Sequence, residues 1–248
     1  MSKIFNTQNK SSIAQAFEGP DFDLFETLLW ENRSYFLLDL HLARLERSAK
    51  HFSFVYNISE ITDFLNHAVM SFDENKKYRI KLIVKKNGKL QLSSLELDAP
   101  ENLPVKIAVS SSRTDRADEF LYHKTTNRKL YEHDLAKYRS NGFFDIIFLN
   151  GEGEVTEGSI GNIMIRNGED HFTPISSSGL LPGVYREYLL NVREDFVLKE
   201  KVLFLDDLKK ADEIFMINSV RKIVPAILSV NQYVVSSELL SARCSLRV

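Results

Sequence analysis

Apolar positions along the chain follow two periods, and the switches between them mark its elements. Residues 23–30 and 34–38 are rich in leucine, aromatic and other strand-forming side chains around the polar Glu31-Asn32-Arg33, the pattern of a hairpin. From Asp39 to about Phe54 the period changes: Leu42, Leu45, Ala49 and Phe52 recur at three and four, which is helix spacing, with Asp39 placed to cap it. A second helix is predicted over about 59–71. Strands at 78–85 and 89–97 follow, joined through Lys86-Asn87-Gly88, where Asn-Gly favours a tight turn. Residues 104–110 form another strand. The polar, weakly periodic SSSRTDRADEF at 110–120 reads as an interdomain linker, dividing a smaller α/β domain over 1–111 from a larger one over 112–248.

The second half alternates. A helix is expected from about 125 to 140, then the apolar strand FFDIIFLN, a turn at Gly151-Glu152-Gly153, and short strands at NIMIR and HFTP, the latter ending at Pro174. Pro182 and Gly183 introduce a helix through about 191. A strand and short helix lie in KEKVLFLDDLKKA, strands in EIFMINS and IVPAILSV, and a helix in the tail SSELLSAR. The fold class is α/β, of the mixed α+β kind with much antiparallel pairing, in two lobes.

Composition narrows the function by exclusion. At 248 residues the chain is long enough to bury a sizeable core. A net charge of −2 gives no reason to expect nucleic acid as a partner. The single cysteine, Cys244, leaves no intrachain disulfide, and the six histidines form no close-spaced ligand pattern. No run is apolar enough to read as a membrane span, and the first residues, MSKIFNTQNKSS, lack the apolar core of a secretion signal. A cytoplasmic, reducing setting is the expectation.

The chemistry concentrates in three stretches. YHKTTNRKLY at 122–131 offers Lys124 in a polar, aromatic-flanked context; GEVTEGSIGN follows, and then LLPGVYR at 180–186. Together they supply what pyridoxal 5′-phosphate requires. Lys124 is an amine able to form a Schiff base, and Glu157 an acid to face the pyridine nitrogen, which must stay protonated for the ring to draw electrons. Gly183, Val184 and Tyr185 stand where a turn runs into a helix, whose first N–H groups can cradle a phosphate. Each has a plainer reading: a surface lysine, a solvated turn carboxylate, an ordinary helix start. Arg44 by periodicity alone lies on the polar face of its helix beside Arg47. Asn162 and Thr173 read as loop or strand-end hydrogen bonders, and His123 as a packing residue or a proton carrier.

These motifs, with LFETLLW at 24–30, LLDLHLARLERSAKHF at 37–52, YRIKLIV at 78–84, TPISSSGLLPGVYR and ADEIFMINSVRKIVPA, occur in an order that resembles the class IV aminotransferases, or fold-type IV pyridoxal-phosphate enzymes, over nearly the whole chain. The resemblance implies a two-lobed fold with the cofactor held by the C-terminal lobe. It assigns Arg44 to the cofactor phosphate and places Asn218 and Ser219 against phosphate or a substrate carboxylate. Thr27, Arg79, Arg128 and Tyr131 become candidate substrate contacts; Arg128 follows Lys124 by four, so a helix there would turn both to one pocket. Within the family the wording is most similar to the 4-amino-4-deoxychorismate lyases, which release 4-aminobenzoate, on the way to folate, and pyruvate. The alternative is an aminotransferase acting on branched-chain or D-amino acids. The resemblance also implies a homodimer and raises a separate aminodeoxychorismate synthase as a partner. One departure is that the stretch leading into the FET strand reads only EGPDFD, where many relatives carry an extra strand and a glycine-rich turn.

Overall fold

The computed structural model describes residues 3–6, 22–98, 103–192 and 196–229; Cys244 and the predicted tail helix lie outside them. Two sheets organise the chain. The first is antiparallel and five-stranded, in the order β1 (Lys3–Asn6), β5 (Leu90–Glu96), β4 (Tyr78–Val84), β2 (Leu24–Glu31) and β3 (Ser34–Tyr35). Successive side chains leave a strand on opposite faces, so this sheet has two characters. Leu24, Leu28, Ile80, Leu82 and Leu92 bury one face against helices α1 (Leu38–His51) and α2 (Ile58–Val69). The register aligns Thr27 with Lys81 and Ser93 on the other.

The hairpin turn falls at Asn32-Arg33, both with positive φ (51° and 61°), as a two-residue connection demands. Asp39 does not cap α1. Leu37 occupies that position at φ 55° with no side-chain cap, because the chain leaves β3 through a tight left-handed turn, and Asp39 lies inside the first turn. The second helix is capped by Asn57, whose side chain accepts from the N–H groups of Ser59 (3.1 Å) and Glu60 (3.3 Å).

The second sheet is mixed and eight-stranded, in the order β11 (Leu198–Lys201), β10 (Asp170–Pro174), β9 (Asn162–Asn167), β12 (Glu213–Asn218), β13 (Lys222–Leu228), β6 (Val105–Thr114), β7 (Asp145–Asn150) and β8 (Val155–Gly158). It curls until Val155 N–H donates to Leu203 O at 2.7 Å, just beyond β11. Helix α3 (Lys129–Arg139) covers β6 and β7, and α4 (Val184–Asn191) packs on β12. The chain is therefore a mixed α/β fold.

Three further expectations need correction. A strand does precede the FET strand, since β1 pairs antiparallel with β5. The stretch read as a linker is strand through Thr114, since its backbone pairs with β7, and the change of sheet lies between Glu96 and Val105. Polar composition misled there because Ser110 and Thr114 are buried polar residues of a strand, Ser110 hydroxyl donating to Asp134. The helix expected from 125 begins at Lys129, after a 3₁₀ turn at Glu119–Tyr122 and an extended segment.

Candidate active site

That extended segment carries Lys124 across to the first sheet. Phe25 N–H donates to Lys124 O (3.0 Å), Thr126 N–H to Asp23 O (2.9 Å), and Leu24 bridges Thr125, so the lysine is pinned to the start of β2. Its Nζ stands 4.6 Å from the Phe25 ring centroid. Burial, reinforced by the positive charges of Arg44 and Arg128, pulls the amine down to about 7.

Glu157, in β8, is buried. Tyr131 hydroxyl donates to its Oε1 at 3.1 Å and Asn162 Nδ2 to Oε2 at 3.4 Å. Burial pushes its carboxyl up to about 7. A buried acid whose hydrogen-bonding neighbours are neutral is set up for a cationic partner, which would restore its charge. The loop beyond it is fixed by Asp145, wholly buried in β7, which accepts from Ser159 N–H (2.9 Å), Ile160 N–H (3.2 Å) and the Ser159 hydroxyl.

Arg44 is buried on α1 and grips Glu26 through Nε (2.9 Å) and Nη2 (2.7 Å), leaving Nη1 to donate to Pro182 O at 3.2 Å. Glu26 also accepts from His41 Nδ1 (2.7 Å). Burial alone would raise the Glu26 carboxyl; Arg44 and His41 outweigh it and hold the group well below the usual carboxylate range. Pro182 leads into α4, whose N-cap, Gly183, brings no side-chain cap. A Cβ on Gly183 would lie 2.0 Å from Asn162 Oδ1, so only glycine fits that approach.

The residues predicted to meet cofactor or substrate border one cavity of about 500 Å³ between the two sheets: Lys124, Arg44, Glu157, Gly183, Val184, Tyr185, Asn218 and Ser219, with Thr27, Arg79, Arg128 and Tyr131. Lys124 and Arg128 meet there without a shared helix, both over the Phe25 ring. Arg128 also donates to Ser159 O. Asn218 Oδ1 is engaged in its own turn, accepting from Val220 and Arg221 N–H at 3.0 and 2.8 Å. Thr173 is elsewhere, buried with its hydroxyl on Ile163 O. His123 packs away from the cavity, stacked on His51. Sequence reasoning missed Glu26, His41 and Asp145. Their signals were acids inside apolar strands, in LFETLLW and FFDIIFLN, and a histidine three residues before Arg44 on the same helix face.

The chain matches the model of the family described as Amino-transferase class IV over residues 23–228. It belongs to that family. As a class IV aminotransferase relative it is an enzyme, and its fold is that of the fold-type IV group. It is 28% identical over 224 residues to the aminodeoxychorismate lyase of Bacillus subtilis, covering 82% of this chain and 75% of that one. A solved structure from Mesorhizobium loti, provisionally described as an amino-acid aminotransferase, superposes with a TM-score of 0.78 at 32% identity, over 84% of this chain and all of that one. An aminotransferase from Brucella abortus, solved with the cofactor PLP, shares the fold at a TM-score of 0.74 and 18% identity, over 97% and 96% of the two chains.

Proposed function

We propose that this class IV protein is a pyridoxal-phosphate-dependent 4-amino-4-deoxychorismate lyase. The cavity's residues fit the cofactor: an amine poised near neutrality, a buried acid with no cation hydrogen-bonded to it, and a glycine-built helix start beside a buried arginine. Arg44 and the first-turn N–H groups of α4 would hold the phosphate, and Glu157 the proton of the pyridine nitrogen. Once bound, pyridoxal phosphate supplies an electron sink for the carbon bearing the substrate nitrogen. Lys124, the proposed attachment point, then works as the base: its Nζ takes the proton from the ring carbon that bears the amine and returns one to the departing enolpyruvate. Loss of that group aromatises the ring, and 4-aminobenzoate and pyruvate leave.

The observation that carries the substrate is charge. Arg79, Lys81, Arg128, Arg139 and Arg221 border the cavity, and among the described residues none forms an ion pair with a carboxylate. That excess suits 4-amino-4-deoxychorismate, which carries two carboxylates. The likeness to the Mesorhizobium loti structure favours a second reading, an amino-acid aminotransferase, in which Lys124 delivers its proton on the cofactor side instead. Incubating the protein with 4-amino-4-deoxychorismate, and separately with branched-chain or D-amino acids plus 2-oxoglutarate, distinguishes the two. Release of 4-aminobenzoate is expected; glutamate formation with no 4-aminobenzoate would overturn the lyase reading.

A further inference from the structure

We propose that His41 is a second ligand of the cofactor phosphate, one that takes up a proton from solvent as the phosphate binds and then donates it from Nε2. The proposal rests on the reading above, that the phosphate sits by Arg44 and the start of α4.

His41 lies one turn before Arg44 on α1, so the two side chains share a face. Its side chain is 1% exposed, yet it borders the cavity. Nδ1 is 2.7 Å from Glu26 Oε2, and since that carboxylate can only accept, Nδ1 carries the hydrogen. Nε2 is buried with no hydrogen-bond partner. A buried polar atom left unsatisfied calls for an explanation, and a ligand arriving in the cavity is one.

The tautomer then decides the chemistry. With the hydrogen fixed on Nδ1, a neutral His41 has only a lone pair at Nε2, which repels an anion. Only the imidazolium has a donor on both nitrogens. The charged groups facing it are Glu26 from β2, Arg44 from its own helix and Lys124 from the segment before α3. Burial, aided by the two cations, holds the imidazole below its usual range in spite of Glu26, so it is neutral near neutral pH before a phosphate binds. A dianion placed beside it reverses the balance, as an opposite charge favours the protonated form. Binding and protonation are thereby linked.

The test uses the apo-protein with 4-deoxypyridoxine 5′-phosphate, which has no aldehyde and cannot react with Lys124, and with 4-deoxypyridoxine, which also lacks the phosphate. Calorimetry at pH 8 in two buffers of different ionisation enthalpy reads the protons taken up per site. Any uptake at Glu157 or the pyridine nitrogen is common to both ligands. The expected result is an extra uptake, approaching one proton, for the phosphate ligand alone, with its affinity falling up to about tenfold per pH unit between pH 7.5 and 9. His41→Asn keeps a donor for Glu26 but has nothing at Nε2, whereas His41→Gln reaches toward the Nε2 position with an amide that cannot titrate. Both should lose the extra uptake and the pH slope, with His41→Gln binding the phosphate ligand more tightly. Equal uptake for the two ligands in wild type, or an unchanged slope in either variant, overturns the role of His41. Arg44→Ala separates this from the underlying reading: if it does not selectively weaken the phosphate ligand, the phosphate lies elsewhere and both ideas fall.

Discussion

At the residue scale the reactive groups are held away from their ordinary ionisation, each by its surroundings. With its amine near 7, Lys124 is largely neutral at pH 8, where an exposed lysine would be almost wholly charged. At saturating cofactor, the rate of its capture by the apo-protein, followed by absorbance, should therefore climb through pH 7 and level off by about pH 8.5, because the lowered value shifts the neutral, nucleophilic form down the scale. A rate still climbing steeply at pH 10 would mean Lys124 is not the amine that reacts. Glu157→Gln keeps the shape but replaces one of the two oxygens that accept from Tyr131 and Asn162, and it removes the charge proposed to retain the pyridine proton. Turnover should fall by roughly a hundredfold or more while cofactor still binds, since the loss is of carbanion stabilisation. Near-normal turnover would return Glu157 to a structural carboxylate. Lys124 and Glu157 were legible because their motifs stand out from the local pattern. Glu26 was not, because its acid sits in the core row of β2, where the expected residue is apolar, and its partners Arg44 and His41 come from another element.

At the element scale most strands and helices were legible, because alternation and three-four spacing report the buried faces directly. Failures came where burial was polar, as at Ser110 to Thr114, or where tertiary bonds held the start of an expected helix extended, as at 124–126 against β2. The junction of β9 with α4 could not be read from either segment alone. Asn162 of β9 donates to Leu181 O (2.9 Å) and Glu157, while its Oδ1 occupies the space beside Gly183. Gly183→Ala introduces a methyl into that space, so either Asn162 or the start of α4 must shift. Cofactor affinity measured by equilibrium dialysis should drop by at least about tenfold, as one displaced side chain disturbs both the phosphate end and Glu157. Adding Asn162→Ala should recover part of the loss. A double variant as poor as the two single losses summed would show that the two residues act independently.

At the scale of the whole molecule, the site exists only where the two sheets meet: Arg79 and Lys81 come from the first, Glu157 from the second, Arg128 and the α4 start from helix ends packed beside it, and Lys124 from the segment tying the two together. The sequence supplied the parts and their order, but the cavity's charge depends on which cations the two sheets turn inward, and composition hides that. A chain of net charge −2 has gathered Arg79, Lys81, Arg128, Arg139 and Arg221 around one opening. Such a concentration attracts anions over distances set by salt, since the screening length shortens from about 30 Å at 0.01 M to about 8 Å at 0.15 M. For 4-amino-4-deoxychorismate, the proposed substrate, whose two carboxylates outweigh its one ammonium, kcat/KM should therefore fall severalfold between those ionic strengths, mainly through KM, with kcat little changed once it is seated. Arg79→Gln and Lys81→Gln, on the exposed face of the first sheet, should each raise KM at low salt and flatten its salt dependence. Steady-state kinetics across a sodium chloride series would decide it: a KM indifferent to salt, or a slope that survives both substitutions together, would mean that these cations do not gather the substrate.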